Sequence, residues 1–126
     1  MLEVRVRARC YPTEDRDKVV HAILSFFPDA ELSGEEDISG IAHSVEALGE
    51  QLKRQQIRDA ARAVFRRGLS GTSTTFRLNK QVAAVGRISF SDEDRPLGDI
   101  EVDIVADDME RVIDRIAPHT RPEVAG

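Results

Sequence analysis

A strict alternation of side chains near the start of the chain constrains its fold most. From residue 2 to residue 10 apolar and charged side chains take turns, in the order Leu, Glu, Val, Arg, Val, Arg, Ala, Arg and Cys. A period of two predicts a β-strand with one face in a core and the other in solvent. The chain is therefore expected to contain a sheet with one buried face.

Helical periodicity follows this strand. Thr13 is expected to cap a first helix that ends before Pro28. A second helix is predicted from about Val45 to Arg67, because apolar residues recur along it at helical spacing. Ser44 is suited to its N-cap and Gly68 to its C-terminal cap.

The remaining apolar stretches predict further strands and a last helix. That helix is expected to start at Asp107 or Asp108 and to end at Pro118. A turn near Asn79 and Lys80 would join two strands into a hairpin, with Gly86 at a bulge. An acidic turn is expected at 91–96. The strands after the first are predicted at 30–32, 38–43, 76–78, 82–90 and 100–104.

The element order indicates the fold class. The predicted order β-α-β-β-α-β-β-β-α is typical of an α+β domain, with an antiparallel or mixed sheet and helices packed on one face. A length of 126 residues fits a single domain over 1–126. Residues 118–126 are expected to form a frayed tail.

Composition indicates the compartment. Cys10 is the only cysteine, which excludes an internal disulfide and fits a reducing environment. No apolar run reaches the roughly 20 residues of a membrane span. The chain is therefore expected to be cytoplasmic, with no membrane partner.

Charge is segregated along the chain. Residues 51–87 hold nine cations and one acid, a net charge of +8, whereas the whole chain carries −5. A basic patch on an acidic protein can bind a polyanion locally while the net charge keeps the protein soluble. This segregation is the strongest indication of a partner.

Four arginines in the second predicted helix are spaced by four residues: Arg54, Arg58, Arg62 and Arg66. This spacing predicts a stripe roughly opposite the apolar face, with Lys53 and Arg67 nearer that face. Like charges at this spacing repel, and closely spaced phosphates would relieve the repulsion. The alternative is a solvated face that the acids of the fold neutralise.

The loop at 68–75 is rich in glycine and hydroxyl groups, with Gly71 and Thr74 as candidate contacts to an anion. It follows a helix C-terminus, which is unfavourable for an anion, and lacks the Walker pattern. The alternatives are a plain connector and a nucleotide or phosphometabolite site at 70–75.

The outward face of the first strand carries three arginines, and Arg77 and Arg87 are expected on the same sheet face. No aromatic residue alternates with them, so a platform for stacking bases is not expected, and recognition of a nucleic-acid backbone fits better. The alternative is cross-strand pairing of these arginines with Glu101 and Asp103.

No motif indicates catalysis or a cofactor. His21, His43 and His119 are isolated, with no spacing typical of metal ligands. The acidic clusters at 35–37 and 92–94 are interpreted as turns rather than Mg²⁺ sites. No nucleophile, base and acid are arranged as a triad in the sequence. The chain is therefore predicted not to be an enzyme and to need no cofactor.

Four stretches resemble a known family. They are Tyr-Pro-Thr-Glu-Asp at 11–15, residues 53–62, residues 74–86, and Pro-Leu-Gly at 96–98. They resemble an archaeal family of unknown activity whose members are described as predicted RNA-binding or exosome-subunit-like proteins. Leu-Asn-Lys-Gln at 78–81 is its most specific part. The resemblance covers nearly the whole chain.

The resemblance implies a fold similar to large-subunit ribosomal protein five, an α+β protein that contacts RNA. The chain departs from the family pattern at Gln56, Arg58 and Arg77, where a basic, an apolar and an aromatic residue are expected. Arg58 and Arg77 are therefore weaker candidates for shared functional residues than Arg54, Arg62, Asn79 and Lys80.

The leading hypothesis is a non-catalytic module that binds the phosphate backbone of structured RNA. The alternative is a module for protein interaction or homo-oligomerisation. The candidate RNA-binding residues are Arg54, Arg58, Arg62, Arg66, Gly71, Thr74, Arg77, Asn79, Lys80 and Arg87.

Overall fold

The computed structural model of the chain describes residues 1–91 and 98–119. Six strands and five helices make up this part of the chain. The strands are β1 (Leu2–Arg9), β2 (Glu31–Ser33), β3 (Asp37–Ala42), β4 (Leu69–Ser70), β5 (Ser73–Asn79) and β6 (Asp99–Ala106). The helices are α1 (Arg16–Phe26), α2 (Glu46–Arg54), α3 (Arg58–Arg67), α4 (Lys80–Ala83) and α5 (Met109–Ile116).

The strands form one antiparallel sheet in the order β2-β3-β1-β6-β5-β4. The alternation at the start of the chain places β1 near the centre, where Val4 and Val6 lie in the core and Arg5 and Arg7 face solvent. The predicted α+β class, with helices on one face of the sheet, is confirmed, and the sheet is antiparallel.

The core lies between the sheet and the helices. Buried aliphatic side chains of β1, β3, β5 and β6 pack with those of α1, α2, α3 and α5 in a single cluster. Phe65 of α3 and Phe76 of β5 pack with ring centroids 4.9 Å apart, and Phe90 contacts both at 5.9 Å. Burial of this apolar surface supplies the main driving force for folding.

The prediction of one helix over 45–67 is wrong. The chain forms α2 and α3, separated by Gln56, the only non-glycine residue of the described chain with positive φ (58°). The amide of Ile57 donates to the Leu52 carbonyl and that of Gln56 to the Lys53 carbonyl, at 3.1 Å each. These two bonds form a Schellman motif, which ends α2 without a glycine.

The predicted hairpin at 76–90 is also wrong. The Asn79 side chain accepts from the Val82 amide at 3.0 Å and caps α4, so the chain turns into a helix. The Gln55 side chain hydrogen-bonds both the carbonyl and the amide of Ile88, so these two groups do not pair with a neighbouring strand. In place of a return strand, only an isolated bridge joins Leu78 and Phe90.

Smaller predictions had mixed outcomes. Asp15, not Thr13, caps α1, and Asp108 caps α5 as expected. The N-cap residue of α2 is Val45, with the Ser44 hydroxyl accepting from the Glu46 amide at 3.2 Å. Residues 92–96 of the predicted acidic turn and 120–126 of the predicted tail lie outside the described residues.

Candidate nucleic-acid interface

The site begins at the break between α2 and α3. Gln55, the C-cap of α2, donates to the Ile88 carbonyl at 3.1 Å and accepts from the Ile88 amide at 2.6 Å. This paired contact fixes the loop after α4 against the end of α2. Two segments that lie 33 residues apart in sequence are therefore held together.

Four cations lie within three residues of this contact, and we name them the junction patch: Lys53, Arg54, Arg58 and Arg87. Lys53, Arg54 and Arg87 are exposed, and Arg58 is half-buried at the start of α3. Lys53, which was expected nearer the apolar face, lies in the last turn of α2 and is exposed.

The four cations of the junction patch have no carboxylate partner among the described residues. Arg54 donates to the Gln51 side chain at 3.1 Å, a neutral partner. Within residues 1–91 and 98–119, no carboxylate forms a salt bridge with any of the four cations. Among the described residues, the four positive charges are therefore not matched by salt bridges within the chain.

The other two arginines of the predicted stripe are paired within the chain. Arg62 donates to Asp114 at 2.7 Å and to the Ala117 carbonyl at 3.2 Å, and its side chain is only 13% exposed. Arg66 donates to Glu110 at 2.6 Å. Both carboxylates come from α5, which packs beside α3. The continuous stripe of four arginines is therefore not formed.

The loop after α3 is a tight hairpin. Gly71, with φ of 60°, turns the chain between β4 and β5. Thr74 is fully buried and donates through its hydroxyl to the Phe65 carbonyl at 2.6 Å, which ties β5 to α3. Only Gly71 of the two candidate residues is therefore accessible, and the Thr74 side chain serves the core.

Lys80 lies inside the protein. Its side chain is 3% exposed, and Nζ donates to the Glu14 carboxylate at 2.8 Å and to the Arg9 carbonyl at 2.6 Å. The Tyr11 ring lies 5.3 Å from the same ammonium group. With Asn79 as the helix cap, this places 11–15 and 78–81, two stretches of the family resemblance, in direct contact. Both Asn79 and Lys80 have structural roles here.

The uncovered face of the sheet carries charges of both signs. Arg7 lies opposite Glu101 and Arg5 opposite Asp103 in the β1–β6 register. Arg77 also lies opposite Glu101, on β5. The hydrogen bond to Glu3, at 2.6 Å, raises the pKa of Arg5. Arg5, Arg7 and Arg77 are therefore register neighbours of Glu101 and Asp103, as the cross-strand alternative requires, but among the described residues no salt bridge joins Arg5 or Arg7 to these two acids. Arg87 was expected on the same sheet face, and this expectation is wrong, because it lies in the loop after α4.

The described residues also bear on metal binding, membrane insertion and the position of a histidine. Among the described residues, no group of three or more His, Cys, Asp or Glu side chains is arranged to hold a metal ion. Where the chain is described, no helix is long and apolar enough to cross a membrane. His43 directly follows β3, with its Nδ1 3.1 Å from the Leu2 carbonyl.

Sequence reasoning missed Gln55. This residue matters because it bonds Ile88, the neighbour of Arg87, to the end of α2, yet no local pattern predicts such a contact. A positive φ at a glutamine leaves no signature in sequence.

Comparison with known proteins identifies the family to which this antiparallel α+β fold belongs. A family model described as RNA binding matches residues 3–106. The chain belongs to this family, and its relatives carry the name UPF0201.

Two relatives illustrate the likeness. A UPF0201 protein of Methanocaldococcus jannaschii is 42% identical over 129 residues, covering 95% of this chain and 75% of its own. A UPF0200/UPF0201 protein of Archaeoglobus fulgidus is 40% identical over 95% of this chain. The chain spans only 38% of that longer relative.

Solved structures share the fold. A crystal structure of a UPF0201 protein superimposes with a TM-score of 0.87 at 40% identity, covering 95% of this chain and 98% of the other. The 2.2 Å structure of the Methanococcus jannaschii protein gives the same TM-score at 41% identity, covering 94% and 95%. These likenesses identify the family and the fold, whereas the residues of any binding site have to be argued from this chain.

Proposed function

We propose that this protein is a non-catalytic module that binds the phosphate backbone of structured RNA through the junction patch. One observation carries the proposal: the Gln55–Ile88 contact brings together two segments that carry four cations within three residues of it, and none of the four has a carboxylate partner among the described residues. The RNA-binding description of the family supports the class of ligand.

The aromatic residues favour backbone contacts over base stacking. The chain has five Phe, one Tyr and no Trp. Four of the Phe are buried, and Phe90 packs against Phe65 and Phe76. Tyr11 has the Arg9 guanidinium 5.2 Å and the Lys80 ammonium 5.3 Å from its ring centroid. Single-strand readers stack bases on exposed aromatics, so a duplex or folded RNA fits this surface better.

The charge balance favours a local contact. With a net charge of −5 the chain as a whole repels a polyanion, so binding depends on the junction patch and falls steeply with salt. If all four cations each meet one phosphate, log K should fall with log salt at a slope of roughly −3 to −4.

The test is filter binding of a short RNA duplex from about 50 to 200 mM salt. Arg54→Gln with Arg87→Gln removes two patch cations and should reduce the salt slope by about two. A matched control, Lys18→Gln with Arg111→Gln, removes the same charge at exposed sites elsewhere and should leave the slope unchanged. Undetectable binding at the lowest salt, or equal losses in both variants, would refute the proposal.

A further inference from the structure

The uncovered face of the sheet is built from columns of opposite charge. On β1, Arg5 and Arg7 point outward, and β6 presents Asp103 and Glu101 directly opposite them. Neighbouring strands lie roughly 4.8 Å apart, so a positive and a negative column run side by side. We name these outward-facing residues of β3, β1, β6 and β5 the open face.

The central pair on the open face is unsatisfied. Arg7 and Glu101 are both exposed. Although they are register partners, neither makes an ion pair or a side-chain hydrogen bond within the described chain. Exposed side chains of this length can instead reach charges on a facing surface.

A nucleic acid or an anionic membrane does not suit the open face. The outward charges of the four strands are four of each sign: Arg5, Arg7, Arg9 and Arg77 against Glu3, Asp37, Glu101 and Asp103. Positive and negative charges balance, so no polyanion gains from covering them. A partner must therefore carry the same alternation of charge in reverse.

We propose that a second copy of this chain covers the open face. A two-fold axis parallel to the strands, between β1 and β6, places each β1 over β6 of the other copy. Arg7 then meets Glu101, and Arg5 meets Asp103, in both directions at once. An interface of this kind uses the same patch on both subunits, as isologous dimers do. Sheets packed face to face lie about 10 Å apart, a gap that arginine and glutamate side chains bridge.

Size and shape fit a modest dimer. The four central strands span a face of roughly 500 Å² in projection, below the ~800 Å² per partner of a standard interface. Ile41 is 43% exposed, and it borders a depression of about 560 Å³ that Ser39, Thr75 and Asp103 also line. The association is therefore weak, dependent on concentration and sensitive to salt.

Charge-swap variants test the pairing by sedimentation velocity at low salt. The wild-type chain should dimerise, and Arg7→Glu or Glu101→Arg should each weaken the dimer by about 100-fold or more, because like charges then face each other. An equimolar mixture of the two variants should dimerise again, since every facing pair becomes opposite. The control Arg111→Glu, on α5, should dimerise like the wild type.

Folding and pairing are separated by the double variant. In Arg7→Glu with Glu101→Arg the neighbours on β1 and β6 stay opposite in charge, whereas residue 101 then has the same charge as Arg77, its neighbour on β5. Far-UV circular dichroism shows whether the double variant is folded, and in the folded variant the dimer should return. A monomeric wild-type chain, a dimer that survives either single variant, or no recovery in the folded double variant would overturn the proposal. None of these substitutions alters the junction patch, so the RNA assay stands independently.

Discussion

The junction patch and the contact between α3 and α5 both contain arginines. Those at the contact are paired with carboxylates, and those in the patch have no carboxylate partner among the described residues. Arg62 and Arg66 face α5, where Asp114 and Glu110 accept their hydrogen bonds. Arg58 and Arg54 lie four and eight residues before Arg62 in the sequence, without a carboxylate partner among the described residues. One run of arginines spaced by four is thus divided between two roles.

The helix break explains the difference for Arg54 only. Because Gln56 adopts a left-handed conformation, Arg54 lies on α2 and is separated from Arg62 and Arg66 on α3. Arg58 lies on α3 with the two paired arginines, at the first residue of the helix, and has no salt bridge to α5 among the described residues. Spacing in sequence therefore predicts which charges lie near each other on a helix. It does not predict which of them a third element will neutralise.

The largest effect is expected where a cation is buried. Lys80→Ala would leave Glu14, 12% exposed, without its ammonium partner. Breaking one side of a buried pair costs about 3–5 kcal/mol. Urea denaturation should show this loss of unfolding free energy.

A second substitution identifies the cause of that loss. Lys80→Met combined with Glu14→Gln removes both charges and should recover much of the lost stability. If the double variant is no more stable than Lys80→Ala, the pair does not account for the effect.

A smaller effect is expected at the α3–α5 contact. Arg62→Ala removes hydrogen bonds to Asp114 and to the Ala117 carbonyl from a mostly buried side chain. We expect a loss of about 1–2 kcal/mol, with RNA affinity unchanged. The matched variant Arg54→Ala should lower RNA affinity and change stability by less than about 0.5 kcal/mol. The opposite pattern in thermal melts and filter binding would reverse the two roles.

The smallest effect, and a gain, is expected at the break itself. Gln56 is exposed and left-handed, a conformation that costs a non-glycine residue about 1 kcal/mol. Glycine also increases the conformational entropy of the unfolded chain, and this offsets part of the gain. The net effect of Gln56→Gly should be to stabilise the folded chain by roughly 0.5 kcal/mol. Thermal melts should show a rise of a few degrees, whereas the control Gln55→Gly should lower the melting temperature, because it removes both bonds to Ile88. A fall with Gln56→Gly would mean that its side chain stabilises the junction.

Much of the sheet was predictable because the alternation of apolar and polar residues in a strand shows which of its side chains are buried. The period of two at 2–10 and at 100–104 places inward and outward residues correctly in β1 and β6. The cap of α5 was equally accessible, since an aspartate before an apolar helix has few other roles. Such signals are local, so the sequence next to them suffices.

The junction was not predictable for a physical reason. Its three determinants are the left-handed Gln56, the Gln55–Ile88 contact and the Asn79 cap. The local pattern favours regular elements in their place, namely one continuous helix over 45–67 and a hairpin at 76–90. The Lys80–Glu14 bond joins residues 66 positions apart, and lysine is normally a surface residue. Contacts of this kind emerge only when the whole fold is assembled.

The shortness of the outermost strands bears on how this protein behaves when concentrated. β2 has three residues and β4 has two, so each flank of the sheet offers an incoming strand only a few free backbone groups. Fibrils grow by adding strands along long, flat flanks. This architecture therefore disfavours strand-by-strand polymerisation, and a crowded solution of the chain should stay clear.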